Sequence, residues 1–68
     1  MIKYAENLAR GDEFEDADGN TYRVTHREPL PEALTQVLTY NVAHPLTAPI
    51  RWEFTNGTPI TVKEADRG

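Results

Sequence analysis

The stretch from Gly11 to Glu28, GDEFEDADGNTYRVTHRE, reads as two short strands folded back on one another at Asp18-Gly19. Phe14 on one side and Tyr22 and Val24 on the other alternate with Glu13, Glu15, Arg23 and Thr25, the period of two that half-buried strands show. A three-residue loop built on a type I turn wants glycine in the left-handed conformation at its third position, and Ala17-Asp18-Gly19 supplies it. That loop pairs Asp16 with Asn20. It therefore sets Phe14 opposite Tyr22 on an inner face and Glu13 opposite Arg23 on an outer one. A slip of one residue would put Phe14 opposite Thr21 or Arg23 and split the apolar face.

Upstream, Ile2 and Tyr4 alternate around Lys3 and the pattern then turns helical from Ala5 to Ala9, which predicts a short opening strand and one helical turn. Gly11-Asp12 ends that run. Downstream, Glu28 to Thr35 (EPLPEALT) carries two prolines and is expected to be a loop, because proline gives a sheet ladder no amide hydrogen. The run from Gln36 to Ala43 fits two periods. Leu34, Val37, Leu38 and Val42 sit at helical spacing behind Pro31, whereas Leu38, Tyr40 and Val42 alternate with Thr39 and Asn41. The sheet formers Thr35, Val37, Thr39, Tyr40 and Val42 favour a strand.

His44 to Ala48 makes a connection between prolines, and Ile50-Arg51-Trp52-Glu53-Phe54 is the cleanest alternation in the chain. Pairing Ala43 with Pro49 would bring Val42 to Ile50, Tyr40 to Trp52 and Leu38 to Phe54. A second glycine turn, Thr55-Asn56-Gly57, would then set Trp52 against Ile60 and Ile50 against Val62. Lys63 to Gly68 reads as a charged tail. The expected core is Phe14, Tyr22, Val24, Leu38, Tyr40, Val42, Ile50, Trp52, Phe54, Ile60 and Val62.

Sixty-eight residues make one small domain, residues 1–68, burying roughly 60% of the surface its unfolded chain exposes. It has no cysteine and its two histidines, His26 and His44, stand apart in sequence, so neither a disulfide nor a structural metal is expected to staple it. Absence of cysteine suits a reducing cytoplasm. No apolar run exceeds two residues, against the about 20 that a membrane helix needs, and no membrane association is expected. A net charge of −4 opposes general adhesion to nucleic acid or anionic lipid but leaves room for a local basic patch.

Short strands, glycine turns and one apolar face predict an all-β domain: a five- or six-stranded, strongly bent antiparallel sheet or small barrel, since a short sheet protects its edges best by closing. Leu8 with the Gly11-Asp12 turn, a strand, the "DADG-N-TYRV" hairpin, a long loop, a two-strand meander and a closing "TPITV" strand together resemble the small Src-homology-3-like barrels. The chain also resembles, more loosely, short accessory proteins encoded by actinobacterial phages. Five of its seven basic residues are arginine, a bias associated with such GC-rich genomes. The barrel resemblance implies binding rather than catalysis, to peptides, to nucleic acids or to neighbours in a particle. The chain lacks the "ALYDY" run and the exposed tandem tryptophan of the proline-binding branch.

Candidate chemistry is sparse. Asp16, Asp18, Gly19 and Asn20 suggest a calcium loop, but with Gly19 at position six the two anchoring positions fall on Phe14 and Thr25, so a plain hairpin turn is expected. Arg10-Gly11-Asp12 spells an adhesion tripeptide where a turn must enter the first hairpin strand. Without serine or cysteine the common covalent nucleophiles are missing, and no enzyme activity, cofactor or metal site is expected. His26, near Glu28, reads as a solvated strand-end residue rather than a general base. Arg23, Thr25 and Arg27 alternate on one face of the second hairpin strand, and with Arg51 and His26 they form the candidate binding surface. Glu13, Glu15 and Glu53 share those outer faces and offer the competing reading of exposed ion pairs. Trp52 is an interface-anchor residue type whose alternation with Ile50 and Phe54 argues for the core. These features lead to the expectation of a non-enzymatic protein-binding or structural module, plausible as a phage or prophage accessory protein of the cytoplasm or virion, with a nucleic-acid-binding barrel as the alternative. An unpaired edge strand would also admit a homo-oligomer.

Overall fold

The computed structural model describes residues 1–63. Within them the central hairpin takes the expected register: β2 (Glu13–Glu15) pairs antiparallel with β3 (Thr21–Leu30), with Glu13 opposite Arg23 and Phe14 opposite Tyr22. Asp16 N–H donates to the Asn20 carbonyl and Gly19 N–H to the Asp16 carbonyl, closing the loop. Gly19 has φ +85°, and a Cβ placed there meets nothing within 4 Å. Substitution is thus opposed by the backbone alone. Gly19→Ala is expected to cost about 1 kcal/mol in urea unfolding without altering near-UV circular dichroism.

The opening segment also follows its sequence pattern, as β1 (Ile2–Tyr4) and a single 3₁₀ turn over Ala5–Asn7. Leu8, at the end of that turn, is buried. β4 (Leu34–Asn41) is a strand, which resolves the ambiguous run in favour of sheet. β5 (Ile50–Thr55) and β6 (Pro59–Thr61) complete the set. One sheet has the order β2-β3-β4-β5 and curls strongly into an antiparallel half-barrel; the other is the pair β1-β6. The two sheets meet where Lys63 N–H donates to the Glu13 carbonyl at 2.7 Å. Residues 64–68 of the expected charged tail lie outside the described residues.

Three expectations need correction. Residues 28–35 are not a loop. β3 runs through Pro29 to Leu30 and turns into β4 within three residues, Glu32 and Ala33 taking positive φ of 66° and 59°. Proline is tolerated there because β2 accompanies β3 only over Thr21–Arg23, so Pro29 lies on a stretch with a ladder on one side only. Next, β6 pairs with β1, Lys3 opposite Ile60, and not with β5, so Thr55-Asn56-Gly57 is a turn between sheets rather than a hairpin. Ile60 still packs on the core, reaching it from the second sheet.

The third correction concerns which face of β4 looks inward. Thr39 pairs with Ile50, Val37 with Trp52 and Thr35 with Phe54, so the odd-numbered residues face the core, Leu38 and Tyr40 belong to the outer face, and Val42 lies past the end of β4 in a turn. Volume explains the choice. Inside a tightly curled sheet, the large rings of Trp52 and Phe54 fit opposite small β-branched residues, whereas leucine and tyrosine there would overfill the same space. The core that results is Leu8, Phe14, Tyr22, Val24, Val37 and Val62, with Trp52, Phe54 and Ile60 packed against it; Ile50, at the end of β5, is 39% exposed.

Candidate functional site: an aromatic slot beside a free strand edge

Phe14 from β2, Tyr22 from β3 and Trp52 and Phe54 from β5 converge at the mouth of the half-barrel. Trp52 meets Phe14 and Tyr22 edge to face, each at 5.3 Å between ring centres, and stacks on Phe54 at 5.8 Å. Such arrangements suit the quadrupoles of aromatic rings. Between Phe14, Trp52, Phe54 and Ile60 runs an open slot of about 250 Å³ with Pro59, Thr61, Glu15 and Asp16 at its margin. Trp52 is anchored from behind: its Nε1–H donates to the Thr39 hydroxyl at 2.9 Å, and that hydroxyl donates to the Ile50 carbonyl at 3.2 Å.

One wall of the slot is β5, whose second edge has no strand beside it among the described residues. Asn56 N–H donates to the Ala33 carbonyl, which fixes the phase of the ladder. Ile50, Trp52 and Phe54 therefore turn their backbone groups toward β4, and Arg51 and Glu53 turn theirs outward.

The acidic hairpin loop, at the margin of the slot, is tied together by one of its own carboxylates. The Asp16 carboxylate accepts the Asp18 and Asn20 backbone amides, both at 2.9 Å, the Asn20 side-chain amide and the Tyr22 hydroxyl. Burial pushes its pKa up, but the Asn20, Asp18 and Tyr22 hydrogen bonds outweigh it and hold the carboxyl below its ordinary value of 3.8. A depressed folded-state pKa stabilises above the unfolded value and loses that contribution as pH falls through the folded one. Urea midpoints are therefore expected to drop below about pH 4, and less steeply in Asp16→Asn; identical slopes for both chains would contradict the assignment. The Gly57 N–H that Glu6 accepts at 2.8 Å lowers the Glu6 pKa in the same direction.

The candidate arginines do not form one stripe. A bulge between Val24 and His26 shifts the alternation of β3, so Arg23 lies opposite Tyr40 on the outer face and Arg27 opposite Val37 on the other. Arg23 is also engaged, donating to Glu13 at 2.8 Å and to the Tyr40 hydroxyl at 2.9 Å, and the Glu13 carboxylate pushes its pKa further up. His26 and Arg51 flank Leu38 from either side across the outer face. Arg27 instead shares a shallow groove with His26, Thr25 and Arg10. In the adhesion-like tripeptide, Asp12 accepts Lys3 Nζ at 2.9 Å and Ala9 N–H at 2.8 Å, so that sequence is a turn with its carboxylate occupied.

Among the described residues no helix is long and apolar enough to cross a membrane. Compared with protein-family models, with curated proteins and with solved structures, the chain matches none.

Proposed function

We propose that this small half-barrel is a non-enzymatic module that binds protein, taking an extended segment of its partner along the free edge of β5 with alternate side chains entering the aromatic slot. The observation that carries the reading is the juxtaposition of outward-turned backbone groups at Arg51 and Glu53 with the slot of Phe14, Trp52, Phe54 and Ile60. Strand addition draws affinity from main-chain hydrogen bonds and specificity from pockets for every second side chain, and both components lie side by side here. A cysteine-free chain suits a cytoplasmic or virion setting, and the likeness to Src-homology-3-like barrels and to phage accessory proteins supports a binding or structural role.

Selection of peptides from a random display library against the folded chain tests this. Selected peptides are expected to shift the Trp52 indole resonance and to slow exchange of the Arg51 and Glu53 amides. Selection that yields no binder, together with tight oligonucleotide binding, would overturn it. The nucleic-acid alternative draws on the Arg10, His26 and Arg27 groove. It requires an affinity that falls steeply with salt and is lost in Arg27→Glu.

A further inference from the structure

Apart from β2 and β6, whose outer edges meet at the Glu13–Lys63 bridge, three stretches of sheet edge lack a strand partner among the described residues, and they are not equivalent. β1 spans only three residues. The distal half of β3 carries the bulge and Pro29, both devices that discourage pairing. β5 runs six residues, Ile50–Thr55, without a bulge or an internal proline. Its sequence has a further property: Ile50-Arg51-Trp52-Glu53-Phe54 is complementary to itself when reversed about Trp52.

We infer that β5 pairs antiparallel with β5 of a second copy across a two-fold axis at Trp52, so that the partner of the binding edge proposed above is this same chain. In that register Arg51 lies opposite Glu53 of the second copy, and Glu53 opposite its Arg51. Both are the residues whose backbone N–H and C=O point outward, so each of these pairs exchanges reciprocal backbone hydrogen bonds. Their side chains fall on one face as opposite charges directly across the junction, and among the described residues neither Arg51 nor Glu53 has an ion-pair partner within its own chain. Trp52 meets Trp52 at the centre, and Ile50, 39% exposed in the single chain, meets Phe54 at either end. Moving the axis to either neighbouring residue that preserves the hydrogen-bond phase sets Arg51 against Arg51 or Glu53 against Glu53. The charge pattern therefore selects one register and disfavours its neighbours. Two half-barrels joined in this way share one sheet running β2-β3-β4-β5 and on into the second copy.

Sedimentation equilibrium of the full chain from about 10 μM to about 1 mM tests the inference, a range in which an interface below about 1,200 Å² associates measurably. The parent chain is expected to dimerise. Arg51→Glu and Glu53→Arg, both exposed substitutions that leave the fold intact, are each expected to weaken self-association at least about tenfold through like-charge opposition. Mixing the two variants should restore a dimer, because each then meets its complement. A parent chain monomeric at 1 mM, or a dimer indifferent to both variants and their mixture, would overturn the inference. A monomer that still protects the Arg51 and Glu53 amides on peptide binding would leave the strand-addition function standing, whereas a monomer with no such protection would remove both.

Discussion

Phe14→Ala is expected to leave most of the chain unfolded at 25 °C. The Phe14 ring touches Tyr22, Trp52 and Phe54, with centres 6.2, 5.3 and 6.3 Å away, so one side chain joins β2 to β3 and to the far strand of the curl. It is 4% exposed, and deleting a buried phenylalanine costs about 3–5 kcal/mol. Roughly 0.05–0.15 kcal/mol per residue gives a 68-residue domain about 3–10 kcal/mol, and a single core in so short a chain supplies about 3–5, so the loss takes most or all of what is available. Circular dichroism and Trp52 fluorescence should show a broad, non-cooperative melt and red-shifted emission. Phe14→Leu keeps most of the volume and should stay folded, with a cooperative transition lowered by about 1.5 kcal/mol. Cooperative melting of Phe14→Ala close to the parent midpoint would place the core elsewhere.

The hairpin around Phe14 was legible in the sequence because local chemistry determines it. A glycine at the third loop position fixes the turn, the turn fixes the register, and the register fixes which face is apolar, all within eleven residues from Glu13 to Arg23. The β4 face was not legible in the same way, since both of its alternating sets are plausible there. Leu34, Leu38, Tyr40 and Val42 form the more apolar set, and hydrophobicity alone favours burying it. What reverses the choice is the size of the rings opposite, and that depends on a pairing between β4 and β5 set across an eight-residue connection, 42–49, where no turn rule fixes the register. The partner of β6 is hidden for a similar reason: its pairing with β1 joins the two ends of the described chain, and no local signal records a contact at that separation.

The candidate site was half legible. Trp52 and Phe54 stood out as an alternating aromatic pair, and their core packing follows from it. The slot they border, however, exists because the half-barrel stops at β5, a fact of topology. The arginine stripe failed on a single residue: the bulge at Thr25, whose hydroxyl donates to the Leu38 carbonyl at 3.2 Å, reverses the alternation that placed Arg23 and Arg27 together. A trace of it exists in the sequence. The apolar alternation of Tyr22 and Val24 breaks off at His26, where the bulge ends.

The reversed β4 face makes Thr39 the residue whose substitution separates the two readings most sharply. If Leu38 faced the core, Thr39 would be a surface position and Thr39→Val would stay within about 0.5 kcal/mol of the parent. Thr39 is instead 0% exposed, and its hydroxyl is the acceptor for the Trp52 indole N–H. Valine fills nearly the same volume and gains apolar burial, but it leaves that N–H without its partner at the inner wall of the slot, a penalty of about 1–3 kcal/mol. The orphaned donor outweighs the added methyl, and Thr39→Val is expected to destabilise by about 1–2 kcal/mol in urea unfolding. A double-mutant cycle isolates the cause. In a Trp52→Phe background there is no indole N–H to orphan, so the same Thr39→Val change should be neutral or stabilising, giving a coupling energy of about 1 kcal/mol or more between the two positions. Additive effects would mean that the hydroxyl does not hold the indole. Because the same bond sets the tilt of Trp52 at the edge of β5, Thr39→Val should also weaken whatever pairs with that edge, while leaving Arg51 and Glu53 in place.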